Sequence, residues 1–272
     1  MVLPSPSGLF IGRHFKVIGG AAFRSFRCLW MLEELGIPYE HVPAMPQSRK
    51  IKAYHPLGKV PALIETIPSE NPDKIHEERA PKEFVMYESA AINTYLGDLV
   101  NAYSSEGQSG IGLPQLVPLV GTQDRGLYEQ TVSCIMTELD SQALWIHRKH
   151  ETMGKYFGHI PDAVQHAKHH FQMVNAALAQ QLHNNKGSNS SSTTNERKTN
   201  TGPYLVGSHF TAADILYVHC LEWSQSIGWD EAWKKDVKLC EYFHTCQERP
   251  AFQRVAAMRA KEEVTREQQS KL

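Results

Sequence analysis

The sequence predicts an α/β domain of βαβ-ββα order followed by an all-helical bundle. Three observations carry that prediction. A short apolar run at 15–18 ends in Gly19-Gly20 and leads into an apolar helix and then a second strand-like run. From about residue 119 onward, apolar residues recur at three- and four-residue spacing over many turns. Within that helical half, Thr211 and Asp214 form a helix-start signature.

Taken in order, FKVI at 15–18 reads as a buried strand and Gly19-Gly20 as its closing turn. Phe26, Leu29, Trp30, Met31, Leu32 and Leu35 then cover most of a helix, leaving Glu33 and Glu34 outside. Gly36 caps its C-terminus and Pro38 prevents continuation. A second strand at 39–43 completes a βαβ unit, which is expected to be parallel and right-handed. A short polar helix (QSRKIKAYH) leads to HPLGKVPALIE, a turn and third strand. FVMY at 84–87 is a fourth. The polar stretch between them is long for a hairpin and reads as a surface loop. Ser89 is a natural N-cap for the helix SAAINTYLGDLV.

Beyond residue 119, GTQDRGLYEQTVSCIMTELDSQALWIHRKH and PDAVQHAKHHFQMVNAALAQQL carry helical periodicity. The low-complexity segment at 184–202 has too little apolar surface to offset its ordering entropy and reads as a disordered insertion. In SHFTAADI the Thr211 hydroxyl can accept from the Asp214 amide while the carboxylate reaches back to the Thr211 amide. Phe210 and Ile215 flank this capping box as a hydrophobic staple. Two more helices, around KLCEYFHTCQER and PAFQRVAAMRAKEEV, finish the chain. The expected domains are 14–103 and 115–265.

With 28 basic and 29 acidic residues in 272, the net charge is -1, so no global field points to nucleic acid or an anionic membrane. No apolar run approaches a membrane span. Five scattered cysteines without a CxxC pair suit reduced thiols inside a cell. His166, His169 and His170 share one helix but lack the further ligands of a metal motif, so they read as a solvated face and no metal is expected. The N-terminal stretch lacks the pattern of a secretory signal. The C-terminal Ser270-Lys271-Leu272 matches a receptor-read peroxisomal address, with the frayed polar end of a helix in the cytoplasm as the alternative.

Four words stand at the joints of this architecture: SFRCLWMLEELGIPYE, HPLGKVPAL, YESAAINTYL and YLVGSHFTAADI. In this order the set resembles the cytosolic glutathione S-transferases, over most of residues 14–258 outside the two polar insertions. The resemblance implies a thioredoxin-like first domain that binds glutathione as cosubstrate, a helical second domain that holds a small-molecule electrophile, and a homodimer. It implies that Val60-Pro61, through a cis peptide, presents its backbone to the cysteinyl part of glutathione, where an ordinary strand-start proline is the plainer reading. Glu88 and Ser89 match the acid-serine pair at the γ-glutamyl end, although Ser89 can also serve only as a cap. Lys59, and with it His55, is placed to meet the glycyl carboxylate. Tyr128, Cys134 and Trp145 are expected among the residues lining the electrophile's site.

The resemblance breaks at the thiol. A thiol with a pKa near 8.5 needs about 3 kcal/mol of preferential thiolate stabilisation for a depression of ~2 units. Family members supply it with a hydroxyl or replace it with a reactive cysteine, but the matching positions here hold Ala22 and Phe23. Three substitutes remain: the Ser25 hydroxyl if the loop extends two residues further, the Arg24 charge, and the free amides opening the first helix. Cys28 lies in an apolar helix and reads as a small hydrophobe, and Arg27 as a structural ion-pair partner. The expected activity is glutathione transfer to an electrophile, a detoxification chemistry. Glutathione binding without transfer and glutathione-dependent peroxide reduction are the alternatives.

Overall fold

The computed structural model describes residues 13–67, 82–105, 114–185 and 202–270. The surface loop expected between the third and fourth strands, most of the 184–202 insertion, and Lys271 and Leu272 of the terminal tripeptide lie outside the described residues.

Four strands form one sheet, β1 (His14–Ile18), β2 (Tyr39–Val42), β3 (Ala62–Ile67) and β4 (Lys82–Tyr87), in the order β2-β1-β3-β4. β1 and β2 pair in parallel, with Val17 opposite His41; β3 runs antiparallel to β1, and β4 antiparallel to β3, with Ala62 opposite Tyr87. Helix α1 (Ser25–Leu35) crosses between β1 and β2. It is an amphipathic segment with an almost fully apolar face: Phe26, Leu29, Trp30, Met31 and Leu32 are fully buried. Gly36 stops it in the left-handed region at φ 63°, donating its N–H to the Leu32 carbonyl. Helix α2 (Arg49–Lys52) is one turn, shorter than QSRKIKAYH suggests, because Gln47 takes a left-handed φ of 66° and the chain turns again at His55. Helix α3 (Ser89–Ser105) follows β4 directly.

Among the described residues of the second half the regular elements are helices: α4 (Gln123–Cys134), α5 (Trp145–His147), α6 (Gly154–Phe157), α7 (Pro161–Asn185), α8 (Ala212–Ser226), α9 (Val237–Gln247) and α10 (Pro250–Ser270). Between α4 and α5 the helix widens to i→i+5 turns over Ile135–Leu144, and again over Arg148–Thr152. The capping box at Thr211 and Asp214 forms as its sequence requires, and its carboxylate does more than cap. Buried Asp214 also accepts from Leu205 N–H at 3.0 Å and the Tyr242 hydroxyl at 2.8 Å, tying the 205 turn and α9 to the start of α8.

The chain divides into two compact units, one holding the chain up to Pro114 together with the segment from Arg249 onward, the other Gln115–Glu248. The last helix therefore belongs with the sheet, where the sequence expectation put residues up to 265 in the helical domain. The reason is packing within the first unit. Phe252 lies edge-on to Phe26 at 5.3 Å and to Trp30 at 4.9 Å. Arg249 makes a two-pronged pair with Glu34 at 2.6 and 2.7 Å, and Arg254 pairs with Glu33 at 2.5 Å. The two glutamates that helical periodicity left outside α1 are the anchors for α10.

Candidate functional site

The candidate site lies in the first unit, where three segments meet: the start of α3, the turn before β3, and the loop from β1 to α1. At the first, Glu88 takes a left-handed φ of 70°, which is uncommon for a residue with a side chain, and it is exposed. Ser89 then opens α3 and is 2% exposed. Its Oγ accepts from buried Arg27 at 3.4 Å, while Asn93 donates to the Arg27 carbonyl at 3.3 Å, so α1 fixes the hydroxyl. The hydroxyl's own proton has no acceptor among the described residues, so it can serve a ligand at the N-terminus of a seventeen-residue helix. Buried Arg27 is thus the residue that sets Ser89.

Before β3, the His55 ring packs on Tyr87 at 4.5 Å. Its Nδ1 accepts from Leu57 N–H at 3.1 Å, which leaves the proton on Nε2. Burial pushes the His55 pKa down; the nearby Glu88 opposes that shift and Lys59 reinforces it. The imidazole is thus a neutral donor at neutral pH. Lys59 is exposed, Val60 is 9% exposed, and the Val60-Pro61 bond is cis. An acid, a fixed hydroxyl, a lysine and a neutral imidazole thus gather at the starts of β3 and α3, with His55 in electrostatic reach of both Glu88 and Lys59. That pattern suits a ligand carrying both an ammonium and carboxylates.

The β1 to α1 loop is held tightly. Gly19 sits at φ 141°, and a Cβ there would meet Ser25 Oγ at 2.1 Å and Val60 Cβ at 2.9 Å. Ser25 is not in the open loop: it is already the first residue of α1, fully buried, and its Oγ has no hydrogen-bond partner. The hydroxyl is closed off against Gly19 and Val60, so the extended loop it needed as a thiol donor is not formed. Phe23 fills the place of the family hydroxyl with a half-buried ring packed on the Ile18, Val60 and Ala62 cluster. Arg24, half-buried, occupies the N-cap position of α1. Cys28 is buried in α1 with its Sγ 3.8 Å from the Ser89 carbonyl, and burial pushes its pKa far up, so it is a core thiol.

Residues 24–99 match the family model for the glutathione S-transferase N-terminal domain. No curated protein sequence matches the chain. Among solved structures, glutathione transferase F7 from Populus trichocarpa superposes with a TM-score of 0.64 at 15% identity, over 90% of this chain and 99% of that one. Glutathione transferase URE2P8 from Phanerochaete chrysosporium, solved with oxidized glutathione, gives 0.62 at 23% identity, over 93% and 97%. A glutathione transferase from Methylococcus capsulatus gives 0.63 at 21%, over 91% and 98%.

The chain has the glutathione transferase fold.

Within that fold, the helical unit departs from one expectation. Tyr128 is fully buried, with the Arg125 guanidinium 5.7 Å from its ring, so it is a core residue and cannot line an open site. Cys134 and Trp145 are half-buried. His170 pairs with Glu138 at 3.1 Å and stacks with His166 at 6.4 Å, and no cluster able to hold a metal occurs among the described residues. Sequence reasoning did not find two residues that brace the β1 to α1 loop. His41, on β2, lies 2.9 Å from the Gly19 carbonyl, and Glu262, on α10, accepts from Ala21 N–H at 2.9 Å. His41 carries a signal in retrospect, a histidine on a strand next to a glycine turn. Glu262 lies 241 residues from its partner in a helix rich in glutamate, so nothing local marks it.

Proposed function

We propose that this protein is a glutathione transferase that binds glutathione in the first unit and joins it through its sulfur to an electrophilic carbon. The observation that carries the reading is the convergence of left-handed Glu88, buried Ser89, His55 and Lys59 at the starts of α3 and β3. Glu88 accepts from the γ-glutamyl ammonium, Ser89 and the α3 amides hold its carboxylate, and Lys59 with the His55 Nε2–H takes the glycyl carboxylate. The Val60 backbone pairs with the cysteinyl unit, which puts the thiol toward the β1 to α1 loop.

The thiol there gives its proton to solvent. The thiolate then forms a C–S bond at the electrophilic carbon while the bond to the leaving group breaks and that group departs as an anion. No covalent enzyme intermediate is needed. With Ser25 closed off, thiolate stabilisation falls to Arg24 and to the loop amides.

A second reading, glutathione binding without transfer, is favoured by Phe23 standing where a hydroxyl would. Glutathione titration with a generic aryl halide assay separates the two: retained binding without conjugation overturns the transferase reading for that substrate class, and turnover with an organic peroxide instead would point to peroxide reduction. We further propose a homodimer, tested by light scattering, and peroxisomal targeting through the terminal SKL. Deleting Leu272 should release a tagged protein to the cytosol, and an unchanged location would sink the targeting proposal.

A further inference from the structure

The loop expected to face the thiol is braced from the far end of the chain. Glu262 of α10 places Oε2 2.9 Å from Ala21 N and Oε1 3.6 Å from His41 Nε2. The same His41 nitrogen lies 2.9 Å from the Gly19 carbonyl, so one carboxylate and one imidazole clasp both sides of Gly20. A side chain at Gly20 would be tight against this clasp, since a Cβ would meet Glu262 Oε2 at 3.0 Å and the Phe23 ring at 3.4 Å. One turn on, the Arg266 guanidinium sits 5.8 Å from the centre of the Phe23 ring.

Anchoring α10 does not require this contact. Arg249, Phe252 and Arg254 already fix the helix to α1. A carboxylate only 15% exposed, with Oε1 buried and lacking a hydrogen-bond partner, is costly unless its position serves something. What it leaves behind is informative: Ala21 N–H is taken by Glu262, Gly19 N–H by Val42, Gly20 N–H by Ala44 and Phe23 N–H by Gly20, while Ala22 N–H has no partner among the described residues.

We propose that Glu262 is a positioning residue for the thiol end of the site: by holding Ala21 N–H and facing His41, it fixes the loop so that Ala22 N–H stands as a preset donor to the thiolate. The inference rests on the glutathione reading above. A backbone donor held in this way replaces the missing hydroxyl without any side chain at Ala22 or Phe23.

The test uses the full chain with Glu262→Ala and Glu262→Gln, reading three quantities: glutathione affinity by calorimetry, the pKa of the bound thiol from thiolate absorbance against pH, and kcat. Glu262→Ala should change affinity by less than about threefold while raising the bound-thiol pKa by roughly one unit and lowering kcat roughly tenfold. Glu262→Gln, which keeps an acceptor for Ala21 N–H, should recover most of both. Amide exchange at Ala21 in the ligand-free protein should quicken in Glu262→Ala and not in Glu262→Gln. If the wild type ionises bound glutathione and Glu262→Ala does so with the same pKa and kcat, the positioning role is wrong. If affinity and melting temperature fall and the bound-thiol pKa rises alike in both variants, Glu262 is only structural and the proposal is likewise overturned. A wild type that binds no glutathione overturns the functional reading itself.

Discussion

Ser25 shows how a single residue can be visible in sequence while its surroundings are not. Its hydroxyl stands two positions from the family's usual place, but it opens α1 and turns inward against Gly19 and Val60. Whether the first residue of a helix faces in or out depends on the loop's exact exit, which periodicity does not resolve. Replacing a buried hydroxyl that has no partner costs little, so Ser25→Ala should keep conjugation within about twofold and leave stability unchanged or slightly raised. A large loss of kcat in an assay with saturating glutathione would restore Ser25 as the catalyst. Histidines give a second prediction. Burial lowers the pKa of both His55 and His147, whereas the unfolded chain titrates near 6.5. Between the two values the unfolded state binds more protons, so stability is full above about pH 6.5 and declines as pH falls below it. Urea midpoints should drop from pH 7.5 to 5.5, and His55→Gln with His147→Gln should flatten that slope.

At the scale of elements, the turns and caps were the legible part. Gly36 after α1 and the Thr211-Asp214 box before α8 are local chemistry, each read from a few adjacent residues. Gly36→Ala should cost roughly 1–2 kcal/mol, since a Cβ opposes the left-handed conformation. Asp214→Ala should cost more, about 3 kcal/mol or above, because buried donors from Leu205, Thr211 and Tyr242 lose their acceptor together. Denaturant midpoints of the two variants order these effects. Less legible was the widening of the helix over Ile135–Leu144, where apolar spacing looks the same as in an ordinary α-helix.

Across the whole molecule, what the sequence could not place was the last helix. Its apolar residues announce a helix but not its partner, and Phe252 finds Phe26 and Trp30 more than 200 positions earlier. Phe252→Ala should therefore destabilise the first unit by about 3–5 kcal/mol and weaken anything that unit binds. The site divides the same way. Glu88, Ser89, Lys59 and Val60 were named from words near one another in the chain, whereas Glu262 and His41 reach the β1 to α1 loop only through the tertiary fold. The most direct check on the account is a calorimetric titration of glutathione into wild type and Glu88→Ala. One site per chain is expected, with affinity falling roughly 10- to 100-fold in Glu88→Ala on losing a charge-assisted contact. Absence of binding to folded wild type, or equal affinity in Glu88→Ala, would contradict it.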